Sequence, residues 1–135
     1  MSNAKLLSCA IVLVTSDIKK TVKYYNELLG FKIVTHYENE EKFAACYRGN
    51  VEIVLVELSK DKIESNQDRY GAGYDAYLVP EDVDSFYKEL KDKEVKIVDE
   101  LAMTVYGSYE FAIEDIDGRR IGIGRVRDKK KFFYK

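Results

Sequence analysis

The sequence of 135 residues contains one histidine, two cysteines and no tryptophan. A transition-metal site usually needs two or more imidazole or thiolate ligands, so the chain has few of the usual donors for such a site. Cys9 and Cys46 lack CxxC spacing, which favours reduced, buried thiols in a cytoplasmic protein. No Ser/His/Asp order, Gly-rich phosphate loop or paired catalytic carboxylate motif is recognisable, so no catalytic residue is predicted.

Long apolar segments and basic clusters are also missing from the body of the chain. No apolar run is long enough to cross a membrane, and none has the form of a secretory signal. The 22 lysines and arginines are balanced by 24 aspartates and glutamates, without a basic stripe. We therefore expect a cytoplasmic protein that binds neither nucleic acid nor a membrane. Residues 2–4, Ser-Asn-Ala, have the form of a cloning scar and are excluded from the predicted fold.

What the chain does contain is an internal repeat. The segment LVTSDIKKTVKYYNELLGFKIV at 13–34 matches LVPEDVDSFYKELKDKEVKIV at 78–98, with a one-residue deletion before the shared Lys-Ile-Val. In each copy an apolar strand ends at a polar turn, where Asp17 or Asp82 supplies a capping oxygen for a helix. Three short alternating or β-branched runs follow each helix. Each half is therefore predicted as strand, helix and three strands.

This pattern predicts an α+β fold of two βαβββ modules within a single domain, residues 1–135. Module one covers about 6–58 and module two about 74–127. Residues 59–73 are polar, contain glycine and lack apolar periodicity, so they are predicted to be a linker or a loop over a pocket. The basic and aromatic tail at 128–135 is predicted to be a solvated terminus without a function.

The repeat and the segment IEDIDGRRIGI resemble the vicinal oxygen chelate superfamily, which groups glyoxalase I, extradiol dioxygenases, fosfomycin resistance enzymes and bleomycin resistance proteins. The resemblance runs from about Leu7 to Val126, although Ile116 stands where the family usually has proline. It implies a glyoxalase-like fold, in which two βαβββ modules form a cupped, cleft-bearing sheet, usually within a homodimer. Fold alone does not imply an activity.

The resemblance also implies where metal ligands would stand if this chain were one of the family's metalloenzymes. Those four positions fall on Ala10, Val54, Asp75 and Gly122. Only Asp75 has a side chain that binds metal, so we expect neither a metal nor another cofactor. A carboxylate-only site remains an alternative, and it would need a register in which Glu52 or Glu57 faces inward beside Asp75.

Two glycines in the last predicted strand point to a binding surface. Gly122 and Gly124 share one face, and glycine inside a strand weakens it, so something else is expected to approach that face. We expect the glycines to leave room for a ligand. The residues expected to line its site are tyrosines and neighbours of the glycines: Tyr47, Tyr74, Asp75, Tyr77, Tyr106, Tyr109, Gly122, Gly124 and Arg125. For each tyrosine, packing is an equal alternative to ligand contact.

These observations predict a metal-free protein that binds a small organic ligand and most resembles the bleomycin resistance branch. Its expected role is to sequester an antibiotic or metabolite, as a homodimer. One alternative is a divalent-metal-dependent lyase, glutathione or thiol transferase, or dioxygenase of the glyoxalase type, using Asp75. Another is a structural module whose cleft is filled by its own side chains. His36 is expected to be a strand residue rather than a general base, and Cys46 a buried, inert thiol.

Overall fold

The computed structural model describes residues 3–36, 42–58 and 61–130. The chain divides into two compact units, Met1–Lys60 and Asp61–Lys135. Residues 59–60 of the predicted linker and 131–135 of the predicted tail lie outside the described ranges. Within those ranges, no helix has both the length and the apolar character that a membrane crossing requires.

The first unit has the predicted order of strand, helix and three strands. Its elements are β1 (Ala10–Thr15), α1 (Ile18–Glu27), β2 (Lys32–His36), β3 (Phe43–Arg48) and β4 (Val51–Glu57). The sheet order is β1-β4-β3-β2. β1 runs parallel to β4, because α1 connects β1 to the far side of the sheet, and the other neighbours are antiparallel.

The first unit buries one face of its sheet against α1. Asp17 caps this helix, as predicted, by accepting a hydrogen bond from the backbone N–H of Lys20 at 3.2 Å. Strand alternation turns Ile53 and Leu55 into the core, where both are fully buried. Val54, between them, lies on the opposite face and is partly exposed.

The second unit repeats the same topology with one additional helix. Its elements are α2 (Asn66–Tyr70), β5 (Ala76–Leu78), α3 (Val83–Asp92), β6 (Ile97–Met103), β7 (Ser108–Glu114) and β8 (Arg120–Val126). The sheet order is β5-β8-β7-β6, with β5 parallel to β8. Two sheets of equivalent order confirm the fold class that the internal repeat predicts.

The additional helix lies where a loop was predicted, so the prediction for residues 59–73 was partly wrong. Ser65 and Asp68 form a reciprocal capping box at the start of α2, and Gly71 ends the helix in the left-handed conformation, with φ 75°. A helix of five residues is too short to show apolar periodicity, and none of its residues is buried. Only the cap residues marked it in the sequence.

The two faces of β7 have different environments. Tyr109 donates a 2.7 Å hydrogen bond to Asp84 on α3, and the ring of Phe111 contacts Tyr87 on the same helix. Alternation therefore places Ser108 and Glu110 on the face that points away from α3. Both side chains are nevertheless buried. This second face holds the candidate site.

The two cysteines differ in environment, and both are free thiols. Cys46 is buried in β3, as predicted, and burial raises the pKa of its thiol to about 12. Cys9 is exposed, so the expectation that both cysteines are buried was wrong. Cys9 precedes β1, in a segment whose described residues are all exposed.

Candidate functional site

The centre of the candidate site is Glu110, a carboxylate that is only 5% exposed. Its Oε2 accepts a 2.8 Å hydrogen bond from the hydroxyl of Tyr74, and its Oε1 accepts one of 3.1 Å from Tyr77. Tyr106, in the turn between β6 and β7, is a third phenol near Glu110, and burial and Glu110 both raise its pKa. A buried carboxylate is stable only when its oxygens accept hydrogen bonds or meet a cation, and phenols supply these bonds here.

Ser108 completes what we call the tyrosine–glutamate cluster, which comprises Tyr74, Tyr77, Tyr106, Ser108 and Glu110. The hydroxyls of Ser108 and Tyr77 are 2.9 Å apart. Each hydroxyl has one proton and a second acceptor, Glu110 at 3.1 Å for Tyr77 and the carbonyl of Arg125 at 3.4 Å for Ser108, so either hydroxyl can be the donor in the Ser108–Tyr77 bond. Hydrogen bonds thus connect Ser108, Tyr77 and Glu110.

The two tyrosine rings explain the glycines of β8. A Cβ atom at Gly122 would lie 2.7 Å from ring carbons of both Tyr74 and Tyr77. At Gly124 it would lie 2.7 Å from the Tyr77 hydroxyl and collide with the Cβ of Glu110. The prediction that something approaches this face was correct, but the expectation of free space beside the glycines was wrong. Side chains of the same unit fill that space.

Burial and the negative charge of Glu110 change the acidity of the surrounding phenols. Burial is the largest cause of the raised pKa of Tyr77, about 12; the hydrogen bond with Ser108 lowers this pKa, and the charge of Glu110 and the hydrogen bond to it raise it further. Burial and Glu110 also raise the pKa of Tyr74 and of Tyr106 above the ordinary value for tyrosine. All three phenols therefore keep their protons at neutral pH and remain hydrogen-bond donors.

Asp75 fixes the backbone beside Tyr74. Its Oδ1 accepts a 2.9 Å hydrogen bond from the backbone N–H of Asn66, and its Oδ2 accepts one of 2.9 Å from Arg120. The side-chain amide of Asn66 also donates to the carbonyl of Tyr74 at 3.0 Å. Both oxygens of Asp75 are thus bonded to the backbone of α2 and β8. Asp75 positions Tyr74 and is not aimed at the cluster.

The remaining predicted site residues do not join this cluster. Arg125 and Tyr109 are paired across β7 and β8 on the face that packs against α3. Arg125 is exposed and donates a 2.9 Å hydrogen bond to the carbonyl of Glu81. Tyr47 belongs to the first unit, where it is paired with Glu52 across β3 and β4. His36 lies in β2, as expected, but its side chain lies outside the described structure.

The family's metal-ligand positions do not form a metal site in this chain. Ala10, Val54 and Gly122 have no ligating atom, and the fourth position, Asp75, is bonded to backbone N–H groups. Across residues 3–36, 42–58 and 61–130, no three His, Cys, Asp or Glu side chains are grouped to hold a metal ion. The residues present therefore do not fit the metal centre of the family's enzymes.

The two glutamates of the carboxylate-only alternative lie on opposite faces of β4. Glu52 already shares the face of Val54, two residues along β4, so no change of register is needed to place it there. Glu57 lies on the opposite face and accepts a 2.9 Å hydrogen bond from the backbone N–H of Ile18. Glu57 therefore satisfies a backbone N–H group at the start of α1.

Two members of the cluster, Glu110 and Ser108, are absent from the sequence-based prediction. The run SYEFAIE alternates, so Ser108, Glu110 and Ala112 share one face and Tyr109 and Phe111 the other. A carboxylate at the middle of an apolar strand is a recognisable signal, because buried glutamate is rare unless it has partners. Its partners are remote in sequence, which hides them from local patterns.

A family comparison identifies the origin of the repeated topology. The model of the Glyoxalase/Bleomycin resistance protein/Dioxygenase superfamily matches residues 8–123. The chain belongs to this superfamily. The match spans both units and thus covers the complete repeat.

Several solved structures share this glyoxalase-superfamily fold. UcmS2 aligns with a TM-score of 0.70 at 17% identity, over 90% of this chain and 98% of its own. TioX from Micromonospora sp. ML1 gives 0.69 at 16% identity, over 89% and 98%. The virulence protein STM3117 from Salmonella typhimurium gives 0.64 at 22% identity, over 91% and 98%. At such identities the likeness shows the fold alone. A comparison with curated proteins found no match.

Proposed function

We propose that this member of the glyoxalase superfamily is a metal-free binding protein that sequesters a small organic molecule, such as an antibiotic or metabolite. The observation that carries the proposal is the tyrosine–glutamate cluster on the second sheet. It combines aromatic surface with a few polar groups held in fixed positions, which is the usual composition of a small-molecule site.

The exposure of the cluster supports binding at its surface. Tyr77 is 38% exposed, whereas Glu110 and Ser108 beneath it are 5% and 2% exposed. A ligand can therefore reach the tyrosine rings while their hydroxyls stay bonded to buried partners. Rings held in this way lose little conformational freedom when a ligand binds, and preorganisation of this kind raises affinity.

The chemistry of the nearby side chains favours binding over reaction. The donor set is wrong for the family's metal, because Asp75 is the only family ligand position that has a carboxylate, and backbone groups occupy it. Burial raises the pKa of the Cys46 thiol to about 12, so it remains protonated and unreactive at neutral pH. We infer a stoichiometric role in which no bond is broken.

A fragment screen on protein with ¹³C-labelled tyrosine rings tests the site. Fragments of mixed charge are expected to shift the ring signals of Tyr74, Tyr77 or Tyr106. Tyr77→Ala should weaken these hits, and Tyr70→Ala should not, because Tyr70 lies on α2 and is 74% exposed. If no fragment moves the cluster signals, these tyrosines only pack the sheet, and the structural-module alternative replaces our proposal.

A second measurement separates binding from the enzymatic alternative. Elemental analysis of purified protein and thermal shifts with Ni²⁺, Zn²⁺, Mn²⁺ and Mg²⁺ report metal binding directly. We expect no stoichiometric metal and no metal-dependent rise in Tm. A stoichiometric metal that stabilises the fold would instead favour the lyase, transferase or dioxygenase alternative. The proposal includes a homodimer, for which sedimentation equilibrium is the test.

A further inference from the structure

We propose that the ligand of the tyrosine–glutamate cluster is an organic cation, an amine or quaternary ammonium group on an apolar frame. The cation would lie against the rings of Tyr74 and Tyr77, above the charge of Glu110. This inference rests on the proposed binding function and adds the chemical class of the ligand.

The first argument is the charge of Glu110. Its hydrogen bonds come from hydroxyl groups that are neutral, those of Tyr74 and Tyr77. In the part of the chain that the structure describes, the ion pairs of lysine and arginine go to other carboxylates. A buried carboxylate is normally paired with a cation, because its removal from water is costly. Here neutral phenols stand in place of that cation, and the described lysines and arginines leave the charge of Glu110 to attract a ligand through the rings.

The second argument is the charge around the cluster. Asp99 on β6 is exposed and pairs with Ala112 of β7, so it shares the face that carries Glu110. Its field contributes to the raised pKa of Tyr74. Arg120, at the start of β8, shares this face with Gly122, and its charge also acts on Asp68 of α2. Two carboxylates, Glu110 and Asp99, thus stand against one guanidinium on this face. A cationic molecule is therefore attracted to this face, and an anionic one is repelled.

The third argument is the arrangement of the rings. The ring centroids of Tyr74 and Tyr77 are 5.9 Å apart, and the ring planes are inclined by 44°. Two inclined rings form a shallow aromatic corner, and an ammonium group near aromatic faces is stabilised by the ring quadrupoles. Both phenols donate to a carboxylate, which adds electron density to their rings and strengthens this attraction.

Three probes that share a phenyl ring but differ in charge test the inference. They are benzyltrimethylammonium, benzyl alcohol and phenylacetate, each titrated into protein with ¹³C-labelled tyrosine rings. We expect benzyltrimethylammonium to shift the cluster signals with an affinity at least about tenfold above that of either other probe. Added sodium chloride should weaken the binding of benzyltrimethylammonium and leave the affinity for benzyl alcohol unchanged, because only the cation is attracted by the charge of Glu110.

A matched pair of variants assigns the effect to one carboxylate. Glu110→Gln should lower the affinity for benzyltrimethylammonium about tenfold, whereas Glu100→Gln should leave this affinity unchanged. Glu100 is the control because it makes the same change in net charge, and its side chain bonds to Tyr87 and Lys91 beside α3. If Glu110→Gln fails to fold, the comparison of the three probes and the salt dependence, both measured on the unaltered protein, still test whether the site prefers a cation.

The outcomes distinguish this inference from the proposed function. If benzyl alcohol or phenylacetate binds the cluster as tightly as the cation, the site exists but the cationic class is wrong. The same conclusion follows if Glu110→Gln folds and binds the cation with unchanged affinity. If none of the three probes shifts the cluster signals at millimolar concentration, both the cationic ligand and the proposed binding site are wrong.

Discussion

Tyr74 donates a 2.8 Å hydrogen bond to Glu110, a residue 36 positions further along the chain. The bond joins Tyr74, just before β5, to the middle of β7. In the sheet, β8 lies between β5 and β7. The hydrogen bond spans β8 at Gly122, where a side chain would meet the Tyr74 ring. One hydrogen bond thus links the buried charge, the aromatic rings and the missing side chain of β8.

Gly122→Ala should destabilise the protein by about 1–3 kcal/mol, the usual range for overpacking a filled site. The added methyl group would lie 2.7 Å from ring carbons of Tyr74 and Tyr77. Urea unfolding measures the loss. In a Tyr74→Ala, Tyr77→Ala background the same substitution should have little effect, because the space is then open. An equal loss in both backgrounds would show that the rings are not the cause.

Alkaline pH should destabilise the second unit through its phenols. Folding raises the pKa of Tyr77 from about 10 in the unfolded chain to about 12. This contribution to stability is complete below pH about 10 and is lost as the pH rises through about 12, since in this range the unfolded chain releases the proton that the folded state retains. Ultraviolet absorbance of phenolate should show a late-titrating group of several phenols, and Tyr77→Phe should remove one phenol from it. Tyr70→Phe should leave this late group intact.

The two thiols should react with Ellman's reagent at very different rates. Cys9 is exposed, whereas burial shields Cys46 and raises its pKa to about 12. We expect one fast thiol in the folded protein and a second only after denaturation. Cys9→Ser should remove the fast phase and Cys46→Ser should leave it. Two fast thiols in the native protein would contradict the burial of Cys46.

Asp115→Ala should be strongly destabilising, at about 3–5 kcal/mol, because it removes the more deeply buried of the two carboxylates that pair with a buried guanidinium. Arg119 donates to Asp115 at 2.9 Å in the turn between β7 and β8, and their side chains are 3% and 0% exposed. Arg119 also donates to Asp117, which moderates the loss. Chemical unfolding measures it.

A surface ion pair of the same unit is the control for that prediction. The Nζ of Lys96 and the Oε2 of Glu114 are 2.6 Å apart, but the two side chains are 67% and 29% exposed. Lys96→Ala should therefore change the free energy of unfolding by less than about 1 kcal/mol. Equal losses for the two substitutions would mean that burial of the Arg119–Asp115 pair does not determine its contribution.

The repeated topology was predictable because its signals are local. Asp17 and Asp82 each precede an amphipathic helix and cap it in the structure. Short alternating runs then predict three strands per half, and the internal repeat predicts that both halves pair them in the same way. The five-residue α2 was not predicted, because a helix that buries no residue shows no apolar periodicity in the sequence.

The candidate site was only partly predictable, because its contacts join distant parts of the sequence. Five predicted residues do meet around Glu110: Tyr74, Tyr77, Tyr106, Gly122 and Gly124. Asp75 lies beside them but bonds to the backbone. Tyr109 and Arg125 face α3, because strands place successive side chains on opposite faces. A tyrosine on a strand shows aromatic surface, but its sequence neighbours do not show which face is inward.

The sequence by itself determined the order of the elements, the caps of the two long helices and the pair of glycines in β8. These features depend on residues within a few positions of one another, and local chemistry specifies them. Tertiary structure alone decided what approaches the glycines and what Glu110 bonds to. Sheet pairing brings Tyr77 beside Gly122, and Glu110 beside Gly124. The close packing of an interior then leaves space for two tyrosine rings only where β8 lacks side chains.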